Sequence, residues 1–385
     1  MDNGILKLSS TEIKYSFLKD DEKHWLHFFY SIIPDNPEQI YDQIRALEQA
    51  EQELFKYLKI GYKTAAVKKF YSSDLINHYA EIMDFKNRQK TDFFTSLTEQ
   101  TPIPSVKIVM IGMCLNNITE KYRDGKIFYF DTTSDLRHIF AEHIFDKNAN
   151  EKSNVEVETK NIFEHLQEKL SIMKTSIEES VLRTWIYAPH VDADYPGIVK
   201  ARKEFFDDIN LTKDTHYIAS TGIQGGTSNR FARVCMDAYA VKGVDKEKIR
   251  YITVPEYMSP TDVYGVTFER ATAIEMGNVD YLFISGTASI DKRGDIVYPD
   301  DIVKQTQRTL ENISAVLKAA EFSENDLSSF TIYLRDPSDY SFVKPLIDDY
   351  CPNLPSIYVK ASVCRPGWLI EIEATAEKLI KRKKS

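Results

Sequence analysis

The spacing of apolar residues along the chain predicts a succession of helices and strands. Between residues 37 and 58, Ile40, Ile44, Leu47 and Leu54 recur at helical spacing, which predicts an amphipathic helix. Other segments are rich in β-branched and aromatic residues, which is typical of strands. These segments are 64–71, 106–112, 126–131 and 180–188. The pattern therefore predicts a protein of mixed α and β content.

Two segments of the chain follow the same order of helix, strand and helix. In each segment the second helix carries an Asp-Tyr pair that is followed within a few residues by Val-Lys. The two segments have helices at 161–173 and 303–320, strands at 180–188 and 330–335, and Asp-Tyr pairs at 194–195 and 339–340. A repeat of this kind indicates an internal duplication.

The length of 385 residues also favours more than one domain, because single cores rarely extend beyond roughly 250–300 residues. Together with the duplication, this predicts an α+β protein of two domains, 1–225 and 226–385. Each domain is expected to be a mixed sheet with helices packed on one face. Residues 1–150 carry no motif that indicates their role.

Composition and charge exclude several classes of function. The net charge of −9 argues against nucleic-acid binding, which needs a basic face, and no apolar run approaches the roughly 20 residues that span a bilayer. The four cysteines form no CxxC pair and the N-terminus is polar, so we expect a cytoplasmic protein. None of the eight histidines forms HxxxH or HExxH, so we expect no metal and no cofactor.

A glycine-rich segment, STGIQGGTSNR at 220–230, lies between the two repeated segments. It lacks the GxxxxGK[ST] order of a phosphate-binding loop, so nucleotide binding is not predicted. A flexible connection or a substrate-facing loop fits the composition better. In the second case its backbone amides and Arg230 would face a carboxylate.

The closing strand provides the clearest candidate chemistry. Ile370 and Ile372 alternate with Glu371 and Glu373, so both carboxylates share one face of the strand. If that face closes over a pocket, burial and mutual repulsion raise the pKa of one carboxyl and produce a general acid. The alternative is a solvated sheet edge.

Residues before this strand add an anchor for a carboxylate. Arg365 precedes a Pro-Gly turn, where its planar guanidinium suits bidentate carboxylate binding or a surface salt bridge. Cys364 fits a small buried hydrophobic residue better than a nucleophile, since no histidine is close in sequence. Further arginines, Arg183, Arg202, Arg230 and Arg270, lie at candidate strand ends, helices and turns. As a set they predict a small anionic ligand with more than one carboxylate.

Several motifs resemble known families. ISGTAS at 284–289, LENI at 310–313, YLRD at 333–336 and IEIEA at 370–374 resemble the Rid-type family, the reactive intermediate deaminases. Longer motifs, YGVTFER at 264–270, SGTASID at 285–291 and CRPGWLIE at 364–371, are similar to the chorismatases. That family combines a Rid-like C-terminal domain with a diverged second copy. The resemblance implies two Rid-like (chorismate mutase-like) domains, the N-terminal one diverged.

The resemblance to chorismatases implies hydrolytic removal of pyruvate from chorismate, a dicarboxylate whose enol ether is protonated before the C–O bond breaks. By position, Glu371 resembles the catalytic glutamate of that family. Cys364 resembles the cysteine of the subclass that forms 3-hydroxybenzoate. Both are therefore catalytic candidates, and 3-hydroxybenzoate is the favoured product.

The same resemblance suggests Arg183, Tyr257, Tyr264 and Arg365 as substrate anchors, beside Arg230 from the glycine-rich segment. One departure stands at Ile186, where the family pattern has asparagine. Two alternatives stay open: a Rid-type deaminase acting on enamine or imine intermediates, and a non-catalytic binding protein. Since Rid-type folds commonly form trimers with sites between subunits, the resemblance allows a monomer or a homotrimer.

Overall fold

Three β-sheets, each flanked by helices, make up the structure. The computed structural model describes residues 1–8, 11–20, 22–35, 39–89 and 91–380, without the side chain of Tyr264. Each sheet and its helices are called a unit here. The first unit lies in the first third of the chain, the second in the middle third and the third in the last third.

The first unit, with β6 included by its place in the chain, has the following strands and α-helices among its described residues. They are β1 (Asp2–Leu8), β2 (Thr11–Lys19), β3 (Trp25–Pro34), α1 (Ile40–Leu58), β4 (Ala65–Ser72), α2 (Leu75–Asn87), β5 (Phe94–Glu99), β6 (Thr101–Ile103) and β7 (Ile108–Leu115). Helix α1 buries Ile44, Leu47 and Leu54 against the sheet, as the apolar spacing predicts.

The second and third units follow the first along the chain. The second consists of β8 (Ile118–Asp124), β9 (Ile127–Thr132), β10 (Arg137–Ile144), α3 (Val155–Ile172), α4 (Ile177–Ser180), β11 (Val181–Ala188), α5 (Val191–Asp208), β12 (Ala219–Gln224) and β13 (Cys235–Lys242). The third consists of β14 (Ile249–Ile252), β15 (Ala271–Met276), β16 (Val279–Ala288), α6 (Ile302–Ala319), β17 (Leu327–Leu334), α7 (Tyr340–Tyr350), β18 (Ser356–Lys360) and β19 (Ile370–Leu379).

All three sheets have the same topology. Their strand orders are β1-β2-β3-β7-β4-β5, β8-β9-β10-β13-β11-β12 and β14-β15-β16-β19-β17-β18, with β6 added beyond β18 in the third sheet. In each unit three antiparallel strands lead into a helix, a strand, a second helix and a parallel strand, and the last strand then inserts at the centre of the sheet. The predicted α+β fold of mixed sheets with helices on one face is confirmed.

The number of units differs from the two domains predicted. The predicted boundary between residues 225 and 226 falls between β12 and β13, which both pair with β11 in one sheet. Only two copies are recognisable in the sequence because α5 and α7 begin with related residues. The equivalent helix α2 lacks the Asp-Tyr and Val-Lys pairs, so the first copy is recognisable only from its topology.

The three sheets face one another around a central cavity of about 110 Å³. Equivalent residues of the three units face this centre, as the strand registers define. Tyr71, Tyr187 and Tyr333 pair with Val109, Cys235 and Glu371 on the neighbouring strands. All three tyrosines are buried. The units therefore join through the sheet faces that point away from their helices.

Strand β6 leaves the first unit and extends the sheet of the third. It pairs antiparallel with β18, where Tyr358 lies opposite Ile103. Within the described ranges, no helix is long and apolar enough to cross a membrane.

The first unit contains a buried ion pair between its sheet and α1. Lys68 on β4 donates to Glu51 at 2.6 Å, and both residues are 1% exposed. The Tyr30 hydroxyl also donates to Glu51. Removing one charge would leave the other buried without compensation, which is far costlier than losing a surface pair.

We predict that Lys68→Ala lowers the free energy of unfolding by about 3–5 kcal/mol, because Glu51 would remain buried without its cation. Urea denaturation followed by circular dichroism measures the change in the first unfolding transition. The matched control is Lys63→Ala, at an exposed position before β4, for which we expect a change within about 0.5 kcal/mol. Equal effects of the two substitutions would contradict the prediction.

Candidate active site

A cavity of about 230 Å³ lies where the second unit meets the third. Its walls come from α5 and β12 of the second unit, and from the segment before β15, strand β16 and the segment leading into β19 of the third. The lining includes Tyr195, Arg202, Ser220, Gly222, Phe268, Arg270, Gly286, Cys364, Arg365, Trp368 and Glu371. The cavity therefore contains polar and charged groups from two separate parts of the chain.

Backbone contacts fix the two walls relative to each other. Glu269 N donates to the carbonyl of Ile218 at 3.1 Å, and Gln224 N donates to the carbonyl of Ser362 at 3.0 Å. The Gln224 side chain also accepts from Ser362 N at 2.8 Å. Strand β12 thereby holds the segments that carry Arg270, Cys364 and Arg365.

Glu371 is the carboxyl group that faces this cavity, and it is 4% exposed. Burial, followed by repulsion from Glu373, raises its pKa to about 8, although Arg183 and Arg270 act in the opposite direction. Its close approach to β16 requires glycine, because a Cβ at Gly286 would overlap Glu371 Oε1. Glu371 is therefore protonated at neutral pH and can act as a general acid.

Glu373, two residues further along the same strand face, is ionised instead. Arg183 donates to Glu373 Oε2 at 2.8 Å, the Thr221 hydroxyl donates to the same oxygen at 2.8 Å, and Trp185 Nε1 donates to Oε1 at 3.1 Å. Burial opposes ionisation, but Arg183, Lys69 and these hydrogen bonds lower the pKa of Glu373 overall. The pair thus contains one acid and one carboxylate, set apart by their surroundings.

Three arginines line the cavity together with Glu371. Arg202 is 1% exposed and its Nε donates to Thr267 Oγ1 at 2.9 Å. Within the part of the chain that the structure describes, its Nη2 is buried and has no hydrogen-bond acceptor. Arg270 donates to the Ser259 carbonyl at 2.8 Å. Arg365 donates to the Gly294 carbonyl at 2.8 Å, and its guanidinium lies 4.9 Å from the centre of the Trp368 ring.

Cys364 also lines the cavity. Burial, followed by the nearby charge of Glu371, raises the pKa of its thiol to about 12. The hydroxyl of Tyr195 is a hydrogen-bond partner that acts in the opposite direction. The ring of Tyr195 packs on Gly222, where a Cβ would lie 2.6 Å from its Cε2. Cys364 is therefore a neutral thiol at neutral pH rather than a nucleophilic thiolate.

The structure brings three of the predicted site residues to the cavity: Glu371, Cys364 and Arg365. Arg183 lies behind the cavity wall and binds Glu373. Arg230 is exposed outside the cavity, with its guanidinium 4.6 Å from the centre of the Phe231 ring. Tyr257 is 45% exposed and lines a separate groove beside α6.

Two other sequence observations bear on the site. The side chain of Tyr264 lies outside the described residues, so its role as an anchor stays a prediction. Ile186 packs into the core between the second sheet and its helices. The departure from the family pattern at this position therefore lies on the sheet face opposite Trp185 and Tyr187.

From the sequence, Arg202 and Arg270 were expected only as two of several arginines near an anionic ligand. Tyr195 and Trp368 were not predicted as site residues. One signal was present for Tyr195, since it belongs to the repeated Asp-Tyr pair. Arg202 carries no such signal, because its neighbours on α5 are those of an ordinary amphipathic helix.

The two carboxyls occur together in the third unit. Strand register places Val109 and Cys235 at positions equivalent to Glu371, and Ile111 and Asp237 at positions equivalent to Glu373. In the second unit Cys235 lies 3.4 Å from His143 Nε2, and burial raises the pKa of the thiol well above its usual range. At the position of Glu371, the first and second units therefore carry no counterpart of the protonated carboxyl that lines the cavity between the second and third units.

No group of three or more His, Cys, Asp or Glu side chains within the described residues is placed to hold a metal ion.

Comparison with known proteins places the last third of the chain in a known family. Residues 270–378 match the family model described as Endoribonuclease L-PSP. A RutC family protein of Pyrococcus horikoshii is 39% identical over 108 residues, which span 28% of this chain and 84% of that protein. A RutC family protein of Pyrococcus abyssi is 35% identical over 108 residues, with the same coverage of 28% and 84%. The chain belongs to the Rid family, which includes these L-PSP proteins.

The family model covers the third unit from β15 to β19, whereas a solved structure covers all three units. The crystal structure of a chorismatase at 1.08 Å resolution aligns with a TM-score of 0.62 and 16% identity. The alignment covers 96% of this chain and 100% of that chain. At this identity the likeness shows the fold, and it extends that fold beyond the residues that the family model matches.

The raised pKa of Glu371 predicts a pH-dependent effect on stability. Its value of about 8 lies above the ordinary 4.5, so its contribution to stability is complete below pH 4.5 and is lost as the pH rises through about 8. Glu371→Gln removes this loss. The melting temperature of the variant, relative to that of the wild type, should therefore increase from pH 5 to pH 9. The upper limit of the effect on the free energy of unfolding is about 1.4 kcal/mol for each factor of ten in the acid dissociation constant.

The control for this prediction is Glu256→Gln, at an exposed position, for which the difference in melting temperature should stay constant with pH. A constant difference for Glu371→Gln as well would show that Glu371 is ionised throughout this range.

Proposed function

We propose that the chain is a chorismatase-like hydrolase that removes pyruvate from chorismate, with 3-hydroxybenzoate as the favoured aromatic product. The observation that carries this proposal is a buried, protonated Glu371 in a cavity lined by three arginines. An enol ether needs a proton donor near neutral pH, and a dicarboxylate needs more than one cationic anchor. The chorismatase likeness of the whole fold supports the same reaction.

The residues suggest the following sequence of steps. Glu371 gives its proton to the methylene carbon of the enol ether, which leaves a cation stabilised by the ether oxygen. A water molecule adds to that cation and returns a proton to Glu371. Cleavage of the bond between the former enol-ether carbon and the ring oxygen then releases pyruvate and a ring diol. Loss of one water from the diol gives a hydroxybenzoate, so the water consumed by hydrolysis is balanced.

The arginines have distinct places in this proposal. Arg365, stacked on Trp368 beside Glu371, binds the carboxylate of the enolpyruvyl group. Arg202, whose Nη2 has no acceptor among the described residues, binds the ring carboxylate from the wall of the second unit. The guanidinium fork suits both contacts. Arg183 acts indirectly through Glu373, and Arg230 and Tyr257, which lie away from the cavity, take no part.

Cys364 is proposed to influence which hydroxybenzoate is formed. Its neutral thiol faces the cavity close to Tyr195, so it shapes the pocket around the ring instead of forming a covalent bond. The preference for 3-hydroxybenzoate rests on the resemblance of this cysteine to that of one chorismatase subclass.

A Rid-type deaminase is the second candidate function, and the identity of the third unit to RutC family proteins favours it. A small enamine or imine acid would need one arginine beside Glu371. The additional Arg202 and Arg270 on the same cavity favour a dicarboxylate.

Because one chain already contains three Rid-like units, we favour a monomer over a homotrimer. The cytoplasmic location stays a prediction from the cysteine pattern.

We predict that the purified protein releases pyruvate from chorismate, and that the rate falls as the pH rises through about 8, because Glu371 then loses its proton. A coupled lactate dehydrogenase assay measures pyruvate, and chromatography identifies the aromatic product. Glu371→Gln should lower kcat about 10²- to 10⁴-fold, whereas Glu256→Gln should not. Ammonia release from a 2-aminoacrylate source without turnover of chorismate would instead support the deaminase.

We further predict that Arg202→Gln raises the KM for chorismate about ten- to a hundredfold, because a charge-assisted hydrogen bond to the ring carboxylate is lost. Arg202→Lys should recover only part of this loss, since a lysine lacks the planar fork. The control is Arg88→Gln on the surface of the first unit, where the wild-type arginine binds Asp84. An unchanged KM in Arg202→Gln would exclude Arg202 as an anchor.

A further inference from the structure

A group of buried polar side chains joins all three units at the central cavity. These side chains are Lys69, Trp185, Asp237 and Glu373. The first unit contributes Lys69 from β4, the second contributes Trp185 from β11 and Asp237 from β13, and the third contributes Glu373 from β19. Trp185 lies opposite Asp237 in the sheet register, and Lys69 holds the position on β4 that Trp185 holds on β11.

Lys69 has an unusual environment for a lysine. It is 8% exposed, and its Nζ lies 3.3 Å from the centre of the Trp185 ring. Within the described residues its ammonium makes no hydrogen bond, and the cavity it faces is lined largely by aromatic and aliphatic side chains, including Phe94 and Phe140. Burial lowers the pKa of Lys69 to about 8, while Glu373 and then Asp237 counteract this effect. The ammonium thus depends on carboxylates of the other two units.

Trp185 connects Lys69 to the carboxyl pair. One face of the indole contacts the ammonium, and its Nε1 donates to Glu373 Oε1 at 3.1 Å. The Arg183 guanidinium lies 5.0 Å from the centre of the same ring and donates to the other oxygen of Glu373. Two cations from two units therefore act on one carboxylate. Charges in a weakly polar interior interact strongly, because little water screens them.

Charges of both signs surround the carboxyl pair, and Arg270 acts on Glu371 from the side of the substrate cavity. Lys69 and Arg183 supply two positive charges, and Glu373 and Asp237 supply two negative charges. The Asp237 carboxyl accepts from Ser96 Oγ, and from His143 N at 2.7 Å, although burial raises its pKa to about 6. The remaining ionisable groups that act on Glu373 are tyrosines, one on each of β4, β11 and β17, and Glu371 on its own strand.

We propose that Lys69 is a positioning residue for the Glu371 and Glu373 pair: the ammonium of the first unit keeps Glu373 ionised, and the single proton of the pair then stays on Glu371, beside the substrate cavity. This assigns a role to the first unit, whose described residues contribute no side chain to the lining of that cavity. The effect of Lys69 on catalysis rests on the proposed function. The location of the proton is a property of the folded protein alone.

Removing the ammonium has a defined consequence for the pair. In Lys69→Met, Glu373 loses one of its two cations and binds a proton at higher pH than in the wild type. We expect the titration of Glu373 to move to a pH higher by about one or more, which is the displacement that a nearby opposite charge produces. Methionine fills a similar volume without a charge. Glu373 keeps its hydrogen bonds from Arg183, Thr221 and Trp185 in this variant, so its charge is not left without compensation.

The experiment measures the ionisation of the two carboxyls directly. Protein labelled with ¹³C at glutamate side-chain carboxyls is titrated by NMR, with Glu371→Gln and Glu373→Gln used to assign the two signals. Lys69→Met and Lys69→Gln are compared with the wild type, and Lys69→Arg tests rescue by a conserved charge. The matched control is Lys121→Met on β8, since burial lowers the pKa of Lys121 also to about 8 and this lysine contacts the first unit instead of the carboxyl pair.

The expected result is an upward shift of the Glu373 titration in Lys69→Met and Lys69→Gln, a smaller shift in Lys69→Arg and none in Lys121→Met. In the chorismate assay the acidic limb of the pH profile of kcat/KM should move by the same amount. An unchanged Glu373 titration in folded Lys69→Gln would overturn the inference, even if chorismate is hydrolysed. A shifted titration without hydrolysis by any variant would leave the inference intact and reject the proposed function.

Discussion

The ion pair between Arg183 and Glu373 is the contact on which the candidate site depends. It is buried, it joins the second unit to the third, and Thr221 and Trp185 complete the hydrogen bonding of the carboxylate. Burying two charges is costly, so such a pair is weak evidence for a gain in stability. Its effect here is electrostatic instead. Burial raises the pKa of Glu371, a carboxylate fixed at Glu373 raises it further, and the glutamate becomes an acid that is protonated at neutral pH.

The three units share a topology but differ in the chemistry of their junctions. The positions that hold Glu371 and Glu373 in the third unit hold Cys235 and Asp237 in the second, and Val109 and Ile111 in the first. The same strand geometry therefore supports an acidic site, a buried thiol with a single carboxyl, and an apolar contact. Topology fixes where these side chains point, whereas the neighbouring unit determines what each of them can do.

Much of the local structure follows from the sequence, because it depends on residues close together in the chain. Alternation in β19 predicts that Glu371 and Glu373 share a face, and the apolar spacing of α1 predicts its buried side. The pKa values of the two carboxyls depend on Arg183, which is 190 residues away from Glu373. No local pattern carries that information. The pairing of the two carboxyls and the raised pKa of one of them in a closed pocket were therefore predictable, whereas the contacts that keep Glu373 ionised were not.

Two other differences from the sequence predictions also have structural causes. The first unit has the same topology as the others but shares no recognisable motif with them, so only backbone pairing identifies it. Arg230 and Tyr257 lie on irregular segments, whose paths depend on turns and on neighbouring units and not on periodicity. The arginine on a regular helix, Arg202, reaches the cavity, because the packing of α5 fixes the direction of its side chain.

The pairing of β6 with the sheet of the third unit shows that the units are not independent modules. This strand belongs by sequence to the first unit but completes the edge of the sheet in the third, where it covers β18. A fragment limited to the third unit would expose that edge, and open strand edges invite pairing with other chains. The same fragment would also leave Glu373 without Arg183 and Lys69. In the segment that matches small single-unit relatives, the pairing of its edge strand and the ionisation of its carboxyl pair therefore both involve residues from the rest of the chain.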